Sequence, residues 1–94
     1  MKIHYENDTE LAEFEAFYKE YRRDVVVEKK EKRYRIHVTT ITRLAQDYAL
    51  ETKNGGFFLV EPNIVIVDEV TKNRIEETVA YLDECNFFEE LGGF

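Results

Sequence analysis

The chain contains one cysteine, one proline, four glycines and no tryptophan in 94 residues, and its thirteen basic residues are outnumbered by twenty acidic ones. A lone thiol, Cys85, excludes an internal disulfide, so the fold must rest on packing and hydrogen bonds. Few prolines and glycines argue against a disordered or linker-like chain. No apolar run approaches the roughly 18 to 20 residues that a membrane-spanning helix needs, which speaks against a membrane role. A net charge of -7 repels phosphate backbones and speaks against nucleic acid as a ligand. No charged, apolar and small-residue leader opens the sequence, so a cytoplasmic location is expected.

What is present is material for a core: 44% hydrophobic residues, including seven Phe and six Tyr. Ninety-four residues suffice for one domain, residues 1–94, which should bury roughly 60 to 70% of the surface its unfolded chain exposes. The plainest local signal is Phe57-Phe58-Leu59-Val60-Glu61-Pro62-Asn63-Ile64-Val65-Ile66-Val67. Two four-residue apolar runs flank a Glu-Pro-Asn break, where proline lacks a ladder donor and biases its predecessor toward extended shape. The expectation is a pair of buried strands joined by a turn and covered on both sides.

Other elements follow from periodicity. Ile3 and Tyr5 alternate with Lys2, His4 and Glu6, as in a half-buried strand. Asn7 with Glu10 resembles a capping box before a helix whose apolar positions are Leu11, Phe14, Phe17 or Tyr18, and Tyr21. Val25–Val27 and the alternation of Tyr34, Ile36 and Val38 predict two more strands. The joint Lys29–Arg33 has no Gly, Asn or Pro, which predicts a long, charged, protruding tip. Ile41, Leu44, Ala45 and Tyr48 predict a helix capped by Thr39 or Thr40 and stopped at Asn54-Gly55-Gly56; the rival reading extends the third strand through Thr42. Ile75, Val79 and Leu82 form one face of a last helix over Lys72–Glu84, with Val70 placed to staple against Ile75. One or two of Phe87, Phe88 and Leu91 should then dock on the core, and Phe94 lies beyond two glycines.

The order strand, helix, strand, strand, helix, strand matches the ferredoxin-like βαββαβ pattern, an α+β fold with an appended C-terminal strand and helix. In that topology the first and third strands are neighbours at the sheet centre and both helices cover one face, leaving the other open. His4 and His37 would then lie together on the open face with Glu6, a weak candidate metal set without characteristic spacing. Cys85, at a helix C-terminus beside Asp83 and Glu84, lacks the cationic setting of a reactive thiol and reads as a buried or half-buried structural residue. Gly55-Gly56 precedes a strand and not a helix, so it is no phosphate cradle, and the common hydrolase, metalloprotease and redox motifs are absent from the sequence. No catalytic residue and no cofactor is expected.

Acidic residues concentrate in the last third. The candidate partner-binding set is Glu61, Asp68, Glu69, Asp83, Glu84, Phe88, Glu89, Glu90 and Phe94. These features support a small acidic non-enzymatic module that binds a basic protein, of inhibitor, immunity or regulatory type, through charge for rate and aromatics for affinity. The alternatives are a homodimeric small-molecule-binding regulatory domain and, third, a small metal-dependent enzyme using His4 and His37. Self-association, as a homodimer, is expected from the two-sided apolar hairpin.

Overall fold

The computed structural model describes residues 1–91. The elements are β1 (Lys2–Tyr5), α1 (Glu10–Lys19), β2 (Tyr21–Lys29), β3 (Lys32–Thr39), α2 (Ile41–Lys53), β4 (Ile64–Ile66), α3 (Lys72–Glu84) and α4 (Phe87–Leu91). The protein is α+β, with one four-stranded mixed sheet. β1 and β2 pair antiparallel, as do β2 and β3, while β4 runs parallel to β3. The parallel step needs a crossover, and α2 supplies it.

The strand order is β1-β2-β3-β4. This departs from the ferredoxin-like expectation, because β1 sits at an edge and β2 separates it from β3. Antiparallel pairing of β1 with β2 explains the difference: α1 acts as a long connection between neighbouring strands and not as a crossover.

Period-2 alternation sorts the sheet into two faces. Ile3 opposes Val27, Tyr5 opposes Val25, and these meet Tyr34 and Ile36 of β3, with Val38 beside Val65 of β4. The helices α3 and α4 cover this face. Ile75, Val79 and the fully buried Phe88 join Ala16, Val25, Val27, Ile36 and Val38 in one core cluster, with Leu82, Phe87 and Leu91 packed against it. The Phe88 ring lies 5.4 Å from Tyr34 and 5.3 Å from Phe87, so the tail docks as expected. Burying an aliphatic or aromatic side chain of this size contributes roughly 1.5 to 3 kcal/mol before entropy is counted.

Caps explain the helix boundaries. Thr9, Thr40 and Thr71 are the N-caps, accepting from the amides of Ala12, Arg43 and Arg74. Asn7, the expected cap, lies two residues before Thr9, where its backbone amide donates to Asp24 and its backbone carbonyl accepts from Arg22. At the end of α2 the Gly56 amide bonds the Glu51 carbonyl and the Gly55 amide bonds that of Thr52, a Schellman closure that needs Gly55 at φ +94°. Helix α2 therefore exists over its full predicted length, and β3 stops at Thr39.

Two local expectations change. The joint between β2 and β3 is no long tip: Lys29 pairs with Lys32, leaving a two-residue turn with Lys30 at φ +51° and Glu31 at φ +65°. Both central residues are left-handed, the geometry of the hairpin turn that matches strand twist, achieved here without glycine. Near its start β2 carries a register shift between Arg22 and Val25. The buried Arg22 bonds Asp24 at 2.6 Å and stacks 4.4 Å from the Tyr5 ring, so the irregularity holds a satisfied ion pair. The expected hairpin at residues 57–67 is also absent. Only Ile64–Ile66 is a strand, and Phe57–Val60 lies outside the sheet with its side chains exposed.

Candidate protein-binding surfaces

Two surfaces leave large apolar side chains uncovered. The first is α1. Its helical spacing sets small Ala12 and Ala16 on one seam, with Leu11, Phe14, Phe17 and Tyr18 spread over the rest of the circumference. Ala16 enters the core while those four larger residues are exposed, Tyr18 at 68%. The expected orientation is thus reversed, since alanine permits close approach of the helix to the sheet and the bulkier seam is turned outward. The outward rings form an ordered cluster, with Phe14 and Tyr18 at 4.5 Å and Phe17 and Tyr18 at 5.8 Å between centroids.

Carboxylates frame this cluster. A recess of ≈ 520 Å³ brings Glu10 and Glu13 beside Phe14, Phe17, Tyr18 and Val70, and a second of ≈ 380 Å³ sets Glu20, Asp68 and Glu69 against Phe17 and Tyr18. The neighbouring cation Lys72 bonds Asp8 at 2.5 Å and lies 3.7 Å from Glu13, and the bond to Asp8 raises its pKa. Asp68 is held below its ordinary range by the hydrogen bond from Arg74.

The second surface is a shelf made by α2 and residues 57–60. None of the residues of α2 is fully buried. Ile41, Tyr48 and Leu50 are exposed, as are Phe58, Val60 at 71% and Phe57 at 81%. Tyr48 Oη donates to the Phe57 carbonyl at 3.5 Å, and Phe57 and Phe58 meet edge to face at 5.1 Å. A groove of ≈ 510 Å³ runs between Ile41, Leu44, Ala45 and Tyr48 on the helix and Leu59, Val60 and Ile64 on the other wall.

A polar hook positions the shelf. His37 projects from β3 on the face opposite α3, buried, with Nδ1 2.8 Å from Oε2 of Glu61. The other Glu61 oxygen is 3.2 Å from Arg23. Burial alone would raise the Glu61 carboxyl, but the hydrogen bond and charge of His37 and the Arg23 guanidinium outweigh it and hold it below the usual carboxylate range. The ionised carboxylate accepts from Nδ1–H of the imidazole. Tyr21 stands edge-on to His37 at 6.2 Å, and Arg43 of α2 stacks 4.4 Å over Tyr21 while bonding Asp47. Thus α2, β3 and the start of β4 meet in one polar cluster around a cavity of ≈ 310 Å³.

The structure does not bring His4 and His37 together. His4 opposes Val26 and lies 3.7 Å from Glu28, Glu6 pairs with Arg35, and His37 pairs with Glu61. Among the described residues no group of three or more His, Cys, Asp and Glu is arranged to hold a metal ion. The acidic residues of the last third are partly engaged within the molecule. Lys29 lies 2.5 Å from both Asp83 and Glu89, which lowers the Glu89 pKa, and Asp68 and Glu61 are paired as above. Glu69, Glu84 and Glu90 are exposed, whereas Phe88 is enclosed and anchors α4. Phe94 lies outside the described residues. Cys85 is exposed and not buried, because it falls just past the last turn of α3.

Sequence reasoning missed α1 as a surface. The available signal was the pair Ala12 and Ala16, whose four-residue spacing competes with the aromatic seam for the inward position. Comparison with known protein families, curated proteins and solved structures finds no match.

Proposed function

We propose that this protein is a small acidic protein-binding module, without catalysis of its own, that engages a basic partner through the outward face of α1. The observation that carries the reading is the Phe14, Phe17 and Tyr18 cluster set among Glu10, Glu13, Glu20, Asp68 and Glu69. Aromatic anchors ringed by charge match the chemistry of interface hot spots, and carboxylates around them steer a cationic surface into place. Of the carboxylates expected from the sequence, Asp83 and Glu89 are occupied by Lys29 and Asp68 by Arg74, and Glu13 of α1 lies 3.7 Å from Lys72, so this reading leans on Glu10, Glu20 and Glu69.

The test is capture from native lysate with the wild-type chain beside Phe14→Ala/Tyr18→Ala. A partner retained by the wild type should be lost from the double variant and released as salt rises past roughly 0.3 M, where exposed charges are screened. Equal retention by both chains, or binding indifferent to salt, would overturn the reading.

A further inference from the structure

We infer that β1 is an interface between two copies of this chain, pairing antiparallel with itself about a twofold axis that passes beside His4 and stands normal to the sheet. β1 is an edge strand with β2 as its one neighbour in the sheet. The Glu6 amide bonds the Asp24 carbonyl at 3.0 Å, and this sets the phase of the ladder. Bonded and non-bonded pairs alternate between antiparallel strands, so Lys2 and His4 also turn their backbone groups to β2, while the amides and carbonyls of Ile3 and Tyr5 point away from it. Among the described residues no backbone group outside that ladder bonds these four. The strand has no proline, glycine or bulge to blunt its edge, so a row of free donors and acceptors is open to strand addition.

Backbone phase and charge select the same occupant. With the axis at His4, Ile3 of one copy faces Tyr5 of the other, each such pair exchanges two hydrogen bonds, and every outward group of both strands is used. Sliding the axis to Tyr5 would bring Ile3 against Asn7, whose amide is held by Asp24 and whose carbonyl is held by Arg22. In the His4 register Lys2 stands opposite Glu6 at both ends of the ribbon. Lys2 has no ion pair of its own among the described residues, and Glu6 stays ionised because the bond from Arg35 lowers its pKa. On the opposite face Ile3 and Tyr5, only partly buried at the rim of the core, meet their counterparts and carry the apolar cluster across the axis. A strand that is its own complement in charge and in hydrogen bonding fits an identical strand.

Cross-linking reads the register directly. Opposed residues of a non-hydrogen-bonded pair lie about 4.5 Å apart at Cα, within reach of a disulfide. His4→Cys, in a chain whose native thiol is removed by Cys85→Ser, should therefore oxidise to a disulfide-linked dimer. Lys2→Cys in the same background, roughly 13 Å or more from its symmetry mate, should stay monomeric under the same oxidation. Sedimentation velocity of the wild type from about 1 µM to about 500 µM should show a concentration-dependent dimer in about 0.15 M salt, which screens the repulsion between two chains of net charge -7. Lys2→Glu sets carboxylates opposite one another at both ends and should weaken that dimer about tenfold, with the urea midpoint of the monomer in place because Lys2 is exposed. A wild-type monomer across that range, equal cross-linking at positions 2 and 4, or a dimer indifferent to Lys2→Glu would overturn the inference.

Discussion

Helices α2 and α3 are each thirteen residues long, each is capped by a threonine, and each carries an apolar face at helical spacing, yet only one of them is built into the core. α3 seals Ile75 and Val79 against the sheet; α2 seals nothing completely and touches the sheet largely through Arg43, Leu44 and the polar cluster around His37. The difference teaches that amphipathic spacing reports that a helix has a face to cover, not what covers it. In α3 the cover is the chain itself. In α2 the described residues leave it uncovered.

The sharpest way to break the comparison is truncation on each helix. Ile75→Ala should cost about 2 to 5 kcal/mol in urea unfolding, whereas Leu50→Ala, measured at low concentration, should stay within about 0.5 kcal/mol. Equal losses would mean that α2 is as much a part of the core as α3. The caps sharpen it further. Thr71→Ala and Thr40→Ala should each cost about 1 kcal/mol of helix stability. The first should lower the global unfolding midpoint, and the second should appear chiefly as faster amide exchange along α2, since α2 can open while the core stays closed.

A smaller effect lies at the turn remote from both helices. Lys30→Asn/Glu31→Gly replaces two side chains held at positive φ by residues that favour it, and should raise stability by about 0.5 to 1 kcal/mol. A destabilised variant would show that the turn is not of this type. The smallest effect concerns the hook beneath α2. Because the folded Glu61 pKa is depressed, its stabilisation is present above the unfolded value of about 4.3 and is lost as pH falls through the folded value. Glu61→Gln should therefore flatten part of the acid limb of the stability profile, with amide exchange in α2 and residues 57–60 rising at neutral pH. An unchanged profile would remove the hook from the account.

Much of the fold was legible in the residues. The alternation around Ile3, Tyr34, Ile36 and Val38 defines the inward face of the sheet, and Thr40, Asn54-Gly55-Gly56 and Thr71 mark helix ends by local chemistry alone. Strand order was not legible, because antiparallel β1–β2 pairing through a helix and a ferredoxin-like crossover share one element sequence. The glycine-free turn was hidden because Lys30 and Glu31 adopt left-handed backbone at a local cost that the hairpin offsets. Phe57–Val60 misled for a different reason. Its composition favours a neighbouring strand, and among the described residues no strand pairs with it. The candidate surface was half visible: Asp68 and Glu69 belong to it, but the direction in which α1 turns its rings depends on the close fit of Ala16.

That outward turn of α1 has a consequence for valency. The recesses beside Phe17 and Tyr18 share no lining residue with the groove of the shelf. Occupying one therefore leaves the side chains of the other free, and a target that met both would make its second contact at an effective concentration in the millimolar range.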